Sequence, residues 1–70
     1  MIGKAIINSD IGLVVNVRSK KELTSPVSER VDIGTVVNVV EKDEEWSKIK
    51  NGRRVGYVMN RFLVFKELDD

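Results

Sequence analysis

The sequence contains no cysteine and no histidine, one proline and only four aromatic residues: one tryptophan, one tyrosine and two phenylalanines. Without cysteine there is no disulfide framework, and without either cysteine or histidine the usual structural zinc sites are excluded. A chain of 70 residues buries only about 60% of the surface that its unfolded form exposes. We therefore expect a fold of low stability that depends on the burial of apolar side chains.

The residue types of catalysis are also scarce. General acid–base catalysis usually needs histidine or a carboxyl group whose pKa is shifted by burial, and the acidic residues here cluster in polar stretches. The serines have no histidine base, and no glycine-rich phosphate loop or metal-ligand spacing occurs. The sequence predicts a non-catalytic protein without a cofactor or a metal site.

No charge of one sign dominates, because 12 basic residues oppose 11 acidic ones and leave a net charge of +1. Such a balance produces no long-range field toward nucleic acid or anionic membranes. The longest apolar runs span only a few residues, and the first eight residues lack the pattern of a secretory signal. We expect neither a membrane nor a nucleic acid as partner, although a small nucleic-acid-binding barrel remains a third hypothesis.

Apolar and polar residues alternate in “KAIIN”, “LVVNV”, “TVVNVVE”, “WSKIK” and “VGYV”. Valine and isoleucine dominate these segments, and no segment has the i, i+3, i+4, i+7 spacing of a helix. The pattern predicts an all-β fold, a small barrel of five to six strands. One domain is expected over residues 1–70, with its core at about residues 6–64.

The alternation also predicts which side chains enter the core. Expected in the core are Leu13, Val15 and Val17 from one segment and Val37 and Val39 from another. Val36, Asn38 and Val40 would then point outward, although two of these three are apolar. This surplus of outward apolar surface requires a cover, either from the same chain or from a partner.

The segment “WSKIKNGRRVGYV” predicts a β-hairpin with two possible registers. A two-residue turn at residues 51 and 52 would place Arg54 on the same face as Ile49 and bury a cation. A four-residue loop over residues 51–54 would instead pair Ile49 with Gly56 and keep one face apolar or small. We favour the second register.

Two of the four aromatic side chains lie on the face of this hairpin that points away from the core. In both registers Trp46 and Tyr57 have the parity that points away from the core. The next segment lacks a turn glycine, and Asn60 and Arg61 suit a single tight helical turn before a short last strand, Leu63–Phe65. This turn would lift two further side chains beside the indole ring: Met59 and Phe62.

In order along the chain, “VVNVRS”, “DIGTVVNVV”, “EEWSKIK” and “GYVMNRFL” resemble the motifs of the bacterial SH3 domain. The resemblance covers Ile6 to Val64 and implies an SH3-like barrel with a 3-10 turn before the last strand. It also implies that the polar excursion Ser19–Ile33 is an RT-type loop, a long flap over the barrel mouth beside a binding groove. Lys20 and Lys21 replace the glycine and proline of the family, which leaves the ligand preference open. The chain continues past the usual end as “VFKELDD”, a tail that would pack on the outward valines.

Members of that family are mostly non-catalytic modules attached to peptidoglycan hydrolases, including bacterial and phage lysins, and they hold the enzyme at the cell wall. The resemblance therefore implies a cell-wall-binding module, the targeting domain of a wall hydrolase, whose partner is the glycan or the peptide stem of peptidoglycan. The resemblance also implies a cell-wall or extracellular location. The composition of the chain by itself indicates no compartment.

The candidate ligand-binding residues are Trp46, Tyr57, Phe62, Met59, Glu45, Lys48, Arg18 and Asn16. The first three take the positions of aromatic residues in the family. An aromatic platform with polar neighbours suits glycan rings and peptide stems, which have apolar faces flanked by polar groups.

Simpler roles stay open for most of these residues. Trp46 can pack beneath the flap, and Asn16 and Arg18 can brace it. Glu45 belongs to an acidic turn that either meets amines of the peptide stem or is only solvated, and Lys48 belongs to a basic cluster that either attracts anionic polymers or is only solvated.

A protein-interaction or oligomerisation module of the same fold is the alternative hypothesis. The outward Val36 and Val40 and the C-terminal tail would form the contact with a second copy or with a catalytic domain.

Overall fold

The computed structural model describes residues 2–68, and within that range the chain forms strands and one 3-10 turn but no α-helix. The strands are β1 (Gly3–Ile7), β2 (Val14–Arg18), β3 (Val27–Asp32), β4 (Val36–Lys42), β5 (Trp46–Asn51), β6 (Arg54–Met59) and β7 (Leu63–Leu68). The 3-10 turn, Asn60–Phe62, joins β6 to β7. The predicted all-β, SH3-like class and the turn before the last strand are confirmed, with one strand more than expected.

All strands belong to one antiparallel sheet in the order β3-β2-β6-β5-β4-β1-β7. In a flat sheet the outermost of seven strands would lie about 29 Å apart, at about 4.8 Å per strand. Yet buried side chains from every strand meet in a single cluster: Ala5, Ile7, Val15, Val17, Val31, Val37, Val39, Ile49, Val58 and Leu63. The sheet therefore curls around one core.

The core consists of aliphatic side chains that follow the predicted period of two. Val15, Val17, Val37 and Val39 are buried, as predicted. The prediction for Leu13 was wrong, because its side chain is 79% exposed. Alternation holds only inside a strand, and Leu13 lies in a bend before β2, where its carbonyl accepts a hydrogen bond from the Ile33 amide (3.0 Å) while the side chain points to solvent.

The hairpin of β5 and β6 has the predicted register. Ile49 lies opposite Gly56, but the strands continue until Asn51 pairs with Arg54, so the connection has two residues instead of the expected four. Gly52 begins this turn with φ +63°, a conformation that glycine adopts without steric cost. The side chain of Arg54 does point to the same face of the hairpin as that of Ile49, but Arg54 lies beyond the end of the core and stays exposed.

Much of the excursion Ser19–Ile33 is a strand instead of a flap. Its second half forms β3, which pairs along β2 and contributes the buried Val31 to the core. The loop proper is therefore the shorter segment from Ser19 to Pro26, closed by a hydrogen bond from the Ser19 amide to the Pro26 carbonyl (3.0 Å). The sequence of β3, “VSERVD”, has one buried side chain, which explains why its periodicity was too weak to predict a strand.

The C-terminal segment leaves Val36, one of the two outward valines, exposed. Strand β7 pairs with β1, and β1 separates it from β4. Val36 remains 55% exposed, while Val40 is half-buried. The expectation that the tail covers Val36 was therefore wrong, whereas the expectation for Val40 stays a prediction; the last two residues of the tail lie outside the described residues.

Candidate ligand-binding cleft

Strand β5 presents Trp46 on the face opposite the core. Its neighbours in sequence and in the sheet decide this, since Ser47 and Ile49 enter the core side and Met59 lies directly across from Trp46 on β6. Trp46 is not part of the core cluster, as its parity predicts. The Trp46 side chain is nevertheless only 9% exposed, which is less than we expected for a ring that points away from the core. Side chains from the loop of residues 19–26 and from the 3-10 turn line the same cleft.

A cleft of about 320 Å³ opens beside the indole ring. Its apolar lining includes Val15, Trp46, Met59 and Phe62, and its polar lining includes Ser9, Asn16 and Arg18. Ile11, Val14 and Leu23 complete its apolar part and are all exposed to solvent. Such a volume lies at the lower end of the range of small-ligand sites.

A hydrogen-bond network around Asn60 holds one wall of this cleft. The buried Ser47 hydroxyl donates to Asn60 Oδ1, and Asn60 Nδ2 donates to the carbonyl of Asp43 (2.8 Å). The backbone N–H of Asn60 also donates to the backbone carbonyl of Glu45 (2.8 Å). These bonds tie the 3-10 turn to the β4–β5 connection, and so they fix the position of Phe62 relative to Trp46.

A second network holds the opposite wall, the loop over residues 19–26. Arg18 Nη1 donates to the carbonyl of Ser25 (2.9 Å). The hydroxyl of Ser25, a buried residue, lies within hydrogen-bonding distance of the carbonyls of Glu22 (2.6 Å) and Lys20 (3.1 Å). The loop therefore has a fixed shape, and it holds Leu23 at the cleft although that side chain is 61% exposed.

An ion pair links the tip of this loop to the β4–β5 connection. The Lys21 ammonium donates to the carboxylate of Asp43, and it also lies 5.7 Å from the centre of the Tyr57 ring. The bond to Asp43 raises the pKa of Lys21 above its usual value of 10.5. Both groups of the pair are well exposed, so solvent and salt screen the attraction.

Five of the eight candidate residues line the cleft: Asn16, Arg18, Trp46, Met59 and Phe62. Tyr57 and Lys48 lie opposite each other on the same outer face, one cross-strand pair beyond Trp46 and Met59, and neither side chain lines the cleft. Glu45 lines a separate shallow hollow that Trp46 also lines, together with Lys42, Asp43 and Glu44. Within residues 2–68, no group of three or more acidic side chains is placed to hold a metal ion.

Sequence reasoning missed the exposed apolar residues of the cleft and the polar residues that support it. Ile11 and Leu23 lie in loops, where no periodicity marks them. Their one signal was a large aliphatic residue in an otherwise polar stretch, as in “KKELTSP”. Ser25 and Asn60 act through contacts that only the folded chain creates.

A family model described as Bacterial SH3 domain matches residues 13–64, more than half of the chain. The chain belongs to the bacterial SH3 domain family. Bacterial SH3 domains are small non-catalytic binding modules, typically found in cell-wall-associated proteins. The matched residues include β2 to β6 and the 3-10 turn, so they contain both supporting networks of the cleft.

Comparisons with curated proteins and with solved structures found no match to this bacterial SH3 domain. Residues 2–68 contain no helix with the length and apolar character that a membrane span requires.

Proposed function

We propose that this bacterial SH3 domain binds the peptidoglycan of bacterial cell walls through the cleft beside Trp46. The observation that carries the proposal is the combination of an indole ring at the base of an open cleft with exposed aliphatic side chains at its edge. Ile11 is 88% exposed and Leu23 61% exposed, so neither contributes much to the core. Exposed apolar side chains grouped around one concave site are typical of a binding surface.

The chemistry of the lining matches the chemistry of the wall. Sugar rings and the side chains of peptide stems offer apolar faces that stack on aromatic rings, and their amide and hydroxyl groups need polar partners. Asn16 supplies both a donor and an acceptor, and Arg18 supplies donors. Membership of the family, whose domains are typical of cell-wall-associated proteins, supports the same partner. We extend the proposal to the role of targeting domain for a wall hydrolase.

Two exposed leucines provide the test. Leu23 lines the cleft and Leu13 does not, and neither is part of the core. Burial of a leucine side chain against a ligand contributes about 1.5–3 kcal/mol at most. We therefore expect Leu23→Ser to weaken co-sedimentation with purified sacculi by about tenfold, and Leu13→Ser to leave it unchanged. Retention of the wild-type protein in the supernatant with sacculi of both Gram types would reject the proposal.

A protein-interaction role is the second candidate, and one row of side chains favours it. Val36, Ile6 and Val64 lie directly opposite one another across β4, β1 and β7, and the two valines are exposed. Sedimentation equilibrium checks this candidate: a concentration-dependent dimer that Val36→Lys abolishes would support it. A strict monomer at high concentration would remove the case for self-association.

A further inference from the structure

Charges are distributed unequally around Trp46. Among the described residues, Arg18 is the only charged side chain that lines the cleft. The shallow hollow that Trp46 also lines has four charged residues in succession, three of them acidic: Lys42, Asp43, Glu44 and Glu45. Trp46 lines both, so a ligand in the cleft meets the cation of Arg18, and a ligand that extends past Trp46 into the hollow meets carboxylates.

Arg18 has more hydrogen-bond donors than the fold uses. Its guanidinium group carries five N–H donors, and Nη1 bonds to the carbonyl of Ser25. The side chain is half-buried among apolar lining residues. A charge-assisted bond to a carboxylate is roughly twice as strong as a neutral one, and partial burial strengthens it further.

We propose that the cleft recognises the peptide stem of peptidoglycan through a free carboxylate that binds Arg18, while an adjacent aliphatic side chain of the stem packs against Trp46. The inference rests on the proposed wall-binding function and specifies its ligand. A neutral glycan chain offers no group of opposite charge, so burying Arg18 beneath it would cost part of the hydration of the guanidinium without a charged partner. A cationic ligand group would be repelled at the same position.

The acidic segment of residues 43–45 sets the direction of the bound peptide. Asp43 is paired with Lys21, but the carboxylates of Glu44 and Glu45 repel a carboxylate of the ligand at the hollow, so the reverse orientation is disfavoured. The carboxylate end of the stem then lies toward Arg18 and the loop of residues 19–26.

The most direct test changes the ligand and leaves the protein intact. Three soluble probes are titrated against the wild-type chain by isothermal titration calorimetry: a synthetic stem pentapeptide with free carboxylates, the same peptide with its carboxylates converted to amides, and a tetramer of N-acetylglucosamine. We expect the free acid to bind about tenfold more tightly than the amide at low salt, with the difference shrinking as salt rises. The glycan is expected to bind more weakly than the free acid.

Two variants of Arg18, one without the charge and one that keeps it, identify the residue that makes the distinction. Arg18→Gln should remove the preference for the free acid, and Arg18→Lys should retain part of it, because lysine keeps the charge but lacks the planar fork. Arg53→Gln is the matched control, since Arg53 lies in the exposed β5–β6 turn and does not line the cleft. Urea unfolding of each variant shows whether loss of the bond to Ser25 has destabilised the domain.

The outcomes separate the two levels of the proposal. Equal binding of acid and amide, or binding of the glycan without the peptide, would overturn the carboxylate inference while wall binding stands. An unchanged preference for the acid in Arg18→Gln would overturn the assignment to Arg18. Absence of binding to sacculi and to all three probes would reject the wall-binding function itself.

Discussion

Strand β5 separates two apolar clusters that differ in how they are closed. On one side, Ile49 and the valines of neighbouring strands fill a core of aliphatic side chains that excludes solvent. On the other side, Trp46 and Met59 form a cluster whose outer members, such as Leu23, remain exposed. Phe62 also lines the cleft, but it packs against the core as well. The first cluster stabilises the fold, and the second is held in place by polar bonds from its surroundings. Two of the four aromatic side chains of this small domain line the cleft.

The two clusters should differ most in their effect on stability. Ile49→Ala removes a fully buried side chain and should lower the free energy of unfolding by about 2–5 kcal/mol, a large share of the stability of so small a domain. Leu23→Ala, at the exposed edge of the cleft, should change it by less than about 0.5 kcal/mol. Urea unfolding followed by circular dichroism measures both. Similar losses for the two variants would mean that the cleft is part of the core.

A pair of glycines tests how tightly each side is packed. Gly56 faces the core where β2 crosses β6, and a Cβ atom there would overlap Val17 Cγ1 and lie 3.0 Å from the carbonyl oxygen of Arg18. Gly56→Ala should therefore destabilise the domain by about 1–3 kcal/mol. Gly12 lines the cleft, and its Cβ would meet only the carbonyl oxygen of Val14 at 3.7 Å, an ordinary contact.

Because an added Cβ at Gly12 has no close neighbour, Gly12→Ala should be neutral or slightly stabilising. Thermal unfolding of the two variants gives the comparison. Equal melting temperatures for both would contradict the close approach of β2 to β6.

The polar support of the cleft is tested with two asparagines. Asn60→Ala leaves the buried Ser47 hydroxyl without its acceptor, at a cost of about 1–3 kcal/mol, and it should also weaken wall binding, because Phe62 loses its fixed position. Asn51→Ala removes only the bond from Nδ2 to Glu29 Oε1 (3.1 Å) at the far end of the hairpin. It should cost less than Asn60→Ala and leave wall binding unchanged. Parallel loss of binding in both variants would argue against a specific role for the Asn60 network.

The smallest effect is expected from the ion pair between the loop and the β4–β5 connection. Because the folded state raises the pKa of Lys21, the ion pair adds stability from neutral pH up to about 10.5 and loses it as the pH rises through the raised value. Lys21→Met should thus be slightly less stable than the wild type at neutral pH and low salt, and the gap should close above pH 10.5 and in high salt. Urea unfolding across this pH range measures it. A gap that persists in 1 M salt would point to packing of the lysine on Tyr57 instead.

Prediction from sequence succeeded where the strands impose a period of two. The inward positions of Val37 and Val39 and the pairing of Ile49 with Gly56 follow from that period and from the need to keep cations out of the core. The same reasoning failed at Leu13, one residue before a strand begins. It also failed for β3, whose single buried valine gives too weak a signal.

The cleft could be predicted only in part. Trp46 and Phe62 followed from strand parity and from the resemblance to a family, and the structure brings both to the cleft. Leu23 and Ile11 could not be predicted, because the path of a loop depends on bonds such as that from Arg18 to Ser25, between residues seven positions apart. Tyr57 shares the outer face with Trp46 but stands one row away, a distinction that parity alone does not make.

The fluorescence of Trp46 gives the most direct test, since this is the only tryptophan of the chain and it lines the cleft. Soluble peptidoglycan fragments are added to the wild-type domain and the emission spectrum is recorded at each concentration. We predict a saturable change in emission that follows the binding isotherm, that needs about tenfold higher fragment concentration in Leu23→Ser and that is unchanged in Leu13→Ser. Binding of the fragments with no change in the emission of Trp46 would contradict the assignment of the cleft.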